Sequence, residues 1–187
     1  MPQISTADFK GGISIDLPDG LFNVVTFQHV KPGKGGAFVR TKLKNVRNGA
    51  VVDKTFRAGE RVEQAIIETR ELQFLYSEGD TFVFMDQETF EQLEVPLEVV
   101  VDIADYLLPE MTPALRFYGT EIVGAALPAS VELTVTDTEP GVQGNRVSGA
   151  TKAATLETGK VVQVPLFVVN GDRIKVDTRT GDYLTRA

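Results

Sequence analysis

The pattern that most constrains this chain is period-two alternation of side chains, in short runs cut off by turn residues. In residues 37–44 the odd positions Ala37, Val39, Thr41 and Leu43 are apolar or small, while the even positions Phe38, Arg40, Lys42 and Lys44 are mostly basic. Successive side chains of a strand point to opposite faces, so this run is a strand with a core face and a basic face. Residues 13–17 and 131–137 alternate in the same way, and 21–30, 81–85 and 161–169 are rich in β-branched and aromatic residues. Turn signals stand between them: Pro18-Asp19-Gly20, Asn48-Gly49, Glu78-Gly79-Asp80 and Asn170-Gly171. Asn48-Gly49 reads as a two-residue hairpin turn into a strand over 51–56. Further strands are expected at 66–69 and 72–76, with a hairpin over 116–123. Only residues 97–108 carry a helical pattern, with Pro96 ahead of Leu97, Val101, Ala104 and Leu108. Evenly spaced short strands with little helix specify an all-β chain of small barrels, with about four or five strands in the first barrel.

Charge divides the chain into thirds. Residues 1–64 carry ten Lys/Arg against six Asp/Glu, residues 65–128 two against thirteen, and residues 129–187 seven against seven, which sums to the net charge of −7. Three barrels are therefore expected at 1–64, 65–128 and 129–187, the later two of OB type. Each third alone would have a thin core, so the barrels are expected to dock. The basic residues concentrate further at Lys31, Lys34, Arg40, Lys42, Lys44, Arg47, Lys54, Arg57 and Arg61. A basic third joined to an acidic one is what a protein needs when one part faces phosphate and another must not.

Several function classes are excluded or disfavoured. There is no cysteine, so disulfides and thiolate metal sites are ruled out. No spacing matches a metal site, no catalytic residue is assigned, and no cofactor is expected. His29 is the lone histidine and lies late in the second strand. Residues 33–36 resemble a phosphate-binding loop only superficially, since the eight-residue pattern is absent and no helix follows. The acidic groups Glu88/Glu91/Glu94 and Glu68/Glu71 read as solvated surface. No signal-peptide pattern or membrane-length apolar run is present, so a cytoplasmic location free of membranes is expected; the chain is also expected to be a monomer. The chain is not expected to be an enzyme.

One loop stands apart. Between the strands over 21–30 and 37–44 lies Lys31-Pro32-Gly33-Lys34-Gly35-Gly36. Pro32 fixes one backbone angle and the glycines accept positive φ, so Lys34 becomes the long side chain at a hairpin tip. A turn needs a glycine or two but has no use for an apical cation. The even face of the next strand, with Arg40, Lys42 and Lys44, leads a basic stripe to that tip.

The hairpin at 31–35 with the basic strand after it resembles the N-terminal domain of bacterial translation elongation factor P. Lys152, Ala154, Gly159, Val162, Val164, Pro165, Val168 and Gly171 fall at the spacings of that family's C-terminal motif, and residues 84–92 also resemble it. The resemblance covers the whole chain. It implies an SH3-like, KOW-like N-terminal barrel followed by two OB-fold barrels in an L-shaped, tRNA-like arrangement. It further implies binding to the ribosome between the peptidyl and exit sites, contact with peptidyl-site tRNA, and stimulation of peptide-bond formation where consecutive prolines stall synthesis. Lys34 occupies the position that reaches toward the tRNA acceptor end and that a modifying enzyme extends in many members. By the same resemblance, Gly144, Asn145 and Arg146 form a loop near exit-site mRNA, and Tyr183 and Arg186 make tail contacts.

The sequence also departs from the family. Asn145-Arg146 stands where many members have Asp-Thr, which puts the same mRNA contacts in doubt, and Ala153 replaces a common proline. Two alternatives remain beside the main branch: an elongation factor P-like paralogue with another stall preference, and a general RNA-binding module of SH3 and OB barrels. The second needs a basic, aromatic surface on an OB barrel, whereas the middle third is acidic.

Overall fold

Pro18 and Asp19 form the two-residue turn that the sequence announces, and around it a six-stranded antiparallel sheet is assembled. A computed structural model describes residues 2–141 and 149–187; Gly144, Asn145 and Arg146 lie outside the described residues. The first strands are β1 (Gln3–Ser5), β2 (Ser14–Leu17), β3 (Gly20–Val30), β4 (Phe38–Asn45), β5 (Val51–Arg57) and β6 (Arg61–Gln64). They form one sheet in the order β1-β6-β2-β3-β4-β5. The alternation of β4 sets its faces: Val39, Thr41 and Leu43 are buried while Arg40, Lys42 and Lys44 are exposed.

Next come β7 (Ile67–Glu71), β8 (Gln73–Glu78), β9 (Thr81–Met85), β10 (Gln92–Pro96), α1 (Leu97–Val100), a 3₁₀ turn at Ala104–Tyr106, β11 (Ala114–Tyr118) and β12 (Glu121–Ala126). They give two three-stranded sheets, β10-β9-β8 and β12-β11-β7. Last come β13 (Ser130–Thr138), β14 (Thr151–Leu156), β15 (Val161–Pro165), β16 (Arg173–Asp177) and β17 (Tyr183–Arg186), ordered β15-β14-β13-β16-β17. The described chain is all-β, and no helix in it is long and apolar enough to cross a membrane.

The backbone divides into two compact units, Met1–Arg70 with Arg116–Gly124, and Glu71–Leu115 with Ala125–Ala187. In the first unit Ile15, Phe22, Val24, Val39, Leu43 and Phe56 form the main core, and Phe9 meets Phe56 edge-on with ring centroids 5.5 Å apart. A smaller cluster joins Leu21, Val46, Ala65 and Val123. In the second unit Leu133, Val135, Leu156, Val164, Ile174 and Val176 are buried together, and the ring of Phe74 packs against those of Phe82 and Phe84.

Three local expectations are corrected. Asn48-Gly49 is not a two-residue turn: residues 46–50 separate β4 from β5, with Lys44 opposite Val51. The longer loop lets Val46 reach the Leu21 cluster, while Asn45 Oδ1 accepts the N–H groups of Arg47 and Asn48. The helix over 97–108 shrinks to one α turn and a 3₁₀ turn. Its i→i+3 bonds, such as Ile103 N–H to Val100 O and Tyr106 N–H to Ile103 O, bring Val100, Ile103 and Tyr106 inward and leave Val101 exposed. The strand over 161–169 ends at Pro165, where Val168 N–H turns back to Pro165 O and buries Val168.

Candidate nucleic-acid interface

The candidate site is the β3–β4 hairpin. β3 is eleven residues long, and its pairing with β4 runs from Phe22 opposite Asn45 to Val30 opposite Phe38. The register shifts between Val24 and Thr26, so Val25 is the extra residue of a bulge. Beyond the bulge β3 leaves the core: Val24 is fully buried, whereas residues 25–29 are exposed.

Residues 31–37 close this arm. Gly35 adopts φ +105°, a backbone angle that a side chain resists. A Cβ placed on Gly33, Gly35 or Gly36 would meet nothing within 4 Å, so the tip stands in open space. Lys31 and Lys34 are exposed and Pro32 is half-buried. The proline and glycines thus present Lys34 as an exposed side chain at the tip.

Below the tip, the register builds a flat polar face. Arg40 lies between Gln28 and Thr55, Lys42 between Thr26 and Asp53, and Lys44 between Asn23 and Val51. Thr26, Gln28, Arg40, Lys42, Asp53 and Thr55 border a groove of about 400 Å³. The Arg40 guanidinium sits 5.5 Å from the Phe38 ring centroid, which orients it along the strand.

Ion pairing separates this face from some neighbouring cations, though Lys10, Arg57 and Arg61 are likewise without an ion pair among the described residues. Among the described residues, no ion pair reaches Lys31, Lys34, Arg40, Lys42 or Lys44, whereas Arg47 pairs with Glu121 through two contacts of 2.9 Å. Lys54 pairs with Asp19 at 3.2 Å, Lys160 with Asp105 at 3.4 Å and Arg173 with Glu132 at 3.0 Å. The hydrogen bond from Arg47 holds the Glu121 carboxyl below its usual range, and that from Lys54 does the same for Asp19. Free cations on an exposed face can bind external phosphate without first breaking an internal pair.

Tyr183 is half-buried against the core of the second unit. Arg186 donates from Nη2 to Asp172 Oδ2 at 2.6 Å and from Nε at 3.1 Å, and stands 5.2 Å over the Phe167 ring. Its charge is therefore already engaged within its own barrel. Lys152 is also buried there, donating from Nζ to the carbonyl of Glu139 at 2.6 Å. Among the described residues no group of three or more His, Asp or Glu side chains is placed to hold a metal ion. Sequence reading passed over Arg116, whose signal was its position as one of only two cations in residues 65–128.

Comparison with known proteins matches the whole architecture. Residues 5–62 match the family model described as the elongation factor P KOW-like domain, 67–125 the elongation factor P OB domain, and 131–186 the elongation factor P C-terminal domain. The chain is 56% identical over 183 residues to elongation factor P of Acidothermus cellulolyticus, covering 98% of each chain. It is 54% identical over 185 residues to that of Moorella thermoacetica, covering 99% of this chain and 100% of the relative. A solved structure described as a translation initiation factor eif-5a family protein from Naegleria fowleri aligns with a TM-score of 0.54 at 15% identity, over 67% of this chain and 98% of that one, and shares the fold.

Proposed function

The chain belongs to the elongation factor P family of translation elongation factors, and from that premise we propose that it enters the ribosome between the peptidyl and exit sites and promotes peptide-bond formation at consecutive prolines. In this reading the Arg40–Lys42–Lys44 face lies on RNA phosphates, and the hairpin carries Lys34 to the acceptor end of peptidyl-site tRNA. A modifying enzyme extends Lys34 where the host has one. The second unit reaches toward exit-site mRNA through residues 144–146, with Tyr183 and Arg186 shaping the end of that barrel. The factor acts in the cytoplasm as a monomer.

One observation carries the reading: an exposed lysine with no ion pair among the described residues stands on a glycine tip, at the end of a stripe of cations that also form none. No catalytic group is needed, because ribosomal RNA performs the chemistry and the factor supplies position. Aligning a slow nucleophile is worth up to about 7–11 kcal/mol in favourable systems. Relief of a stall of about 10²–10³-fold needs only ~3–4 kcal/mol of that.

The test is Lys34→Ala in reconstituted translation of a Pro-Pro-Pro template. The variant should melt with the wild type, since its side chain is exposed, yet fail to relieve the stall. Full activity of the variant would overturn the proposal.

A further inference from the structure

Arg116 on β11 is the only charged side chain lining a concave site of about 420 Å³ within the first compact unit. Its polar neighbours there are Ser14, Asn23, Gln64 and Thr69, with no carboxylate among the lining residues. Residues 65–128 hold thirteen acidic side chains, yet Arg116 has no ion pair among the described residues. The other cation of that stretch, Arg70, pairs with Glu68 at 3.0 Å. The Nε of Arg116 is buried and has no hydrogen-bond partner among the described residues. A buried donor of this kind weakens the fold unless an acceptor reaches it.

The position of the side chain is built into the sequence. A Cβ on Gly124 of β12 would overlap the Arg116 guanidinium, so glycine is what lets the group lie flat against that strand. Ser14 Oγ donates to Asn23 Oδ1 at 2.6 Å, which occupies the amide oxygen and leaves the Asn23 NH₂ as a donor. Guanidinium and amide donors facing one concavity, with no competing carboxylate, are suited to an oxyanion.

The strand register ties this site to the basic stripe. Ser14 is opposite Asn23, and Asn23 is opposite Lys44. Neighbouring strands lie about 4.8 Å apart, so the row from Lys44 to Ser14 spans roughly 10 Å of the same sheet face. We propose that the Arg116 pocket is an oxyanion site that takes a backbone phosphate of the RNA strand following Arg40, Lys42 and Lys44. The proposal rests on the reading of that stripe as an RNA contact. A phosphate held there would fix the register of the strand on the first unit without reading its sequence.

The test uses the full chain in two arms. In the first, inorganic phosphate is titrated at constant ionic strength while the Arg116 Nε–H and the amides of Ser14 and Asn23 are followed by NMR. Saturable shifts are expected, lost in Arg116→Gln and weakened in Gly124→Ala, which keeps the charge but displaces the guanidinium. In the second arm, ribosome affinity is measured against salt. Arg116→Gln should lower the log–log slope by about 0.7–0.9, one phosphate's worth. Gly124→Ala should move the slope the same way with no change of net charge. Absence of saturable shifts overturns the site, and shifts with an unchanged ribosomal slope mark a free ion only and overturn the RNA occupant. If neutralising the stripe leaves the slope intact while Arg116→Gln lowers it, the stripe reading fails and the pocket stands.

Discussion

Neutralising Arg40, Lys42 and Lys44 together, each to Gln, should change how ribosome binding depends on salt more than it changes maximal activity. These side chains project from the exposed face of β4 and have no ion pair within the described chain. Their loss therefore breaks no ion pair among the described residues, and only Asp53, opposite Lys42, loses a neighbouring cation. Each phosphate contact contributes roughly 0.7–0.9 to the slope of log affinity against log salt, so three contribute about 2–3. Raising salt fourfold should then weaken the variant about 20- to 40-fold less than the wild type. Lys54→Gln is the internal control, because Lys54 already serves Asp19 at 3.2 Å and should leave the slope nearly unchanged. The assay is equilibrium binding to vacant and tRNA-loaded ribosomes across a salt series, with rescue on a Pro-Pro-Pro template at saturating factor. A triple variant with the wild-type slope, or a Lys54→Gln slope that falls as steeply, would refute the argument that unpaired cations mark the RNA face.

Stability should divide the two faces of β4. Leu43→Ala, at a fully buried position, should cost about 2–5 kcal/mol as a lower denaturant midpoint, whereas Lys42→Ala should stay within about 0.5 kcal/mol. Asp172 is held below its usual carboxyl range first by the Val169 N–H and then by Arg186. A lowered folded-state value means stability that is present above the unfolded value and is lost as pH falls through the folded one. Thermal melts should therefore show Asp172→Asn less stable than the wild type at neutral pH, with the gap closing at strongly acid pH as the wild-type carboxyl protonates.

Much of the hairpin was legible because it depends on neighbours in sequence. Alternation over 37–44 predicted which side chains of β4 are buried, and Gly79-Asp80 placed the turn into β9 with Glu78 opposite Thr81. What escaped depended on distant partners. Val46 is drawn from its loop by Leu21, Ala65 and Val123, and only the fold reveals that the loop must lengthen to let it in. The pattern of Leu97, Val101, Ala104 and Leu108 matched an α-helix, but the core accepts Val100, Ile103 and Tyr106, which line up in a 3₁₀-like path. Short β1 and β6 carry one apolar residue each, Ile4 and Val62, too few to show a period, and they are found only by pairing with each other and, for β6, with β2.

Charge behaved in the same two-level way. The sequence shows that cations crowd into the first third, but not which of them are spoken for. Arg47 and Lys54 belong to the same basic stretch as Arg40 and Lys42, yet Glu121 and Asp19 neutralise the first two. Glu121 comes from the acidic middle third, 74 residues away. The acidic segment thus supplies a carboxylate that binds Arg47 internally, while the cations of β4 form no ion pair among the described residues, although Asp53 lies opposite Lys42. Because paired surface charges contribute little to either stability or long-range attraction, the hairpin, whose Lys31, Lys34, Arg40, Lys42 and Lys44 have no ion pair among the described residues, supplies much of the first unit's effective binding charge. An RNA approaching this unit would be drawn to β4, and Lys34 would arrive with it.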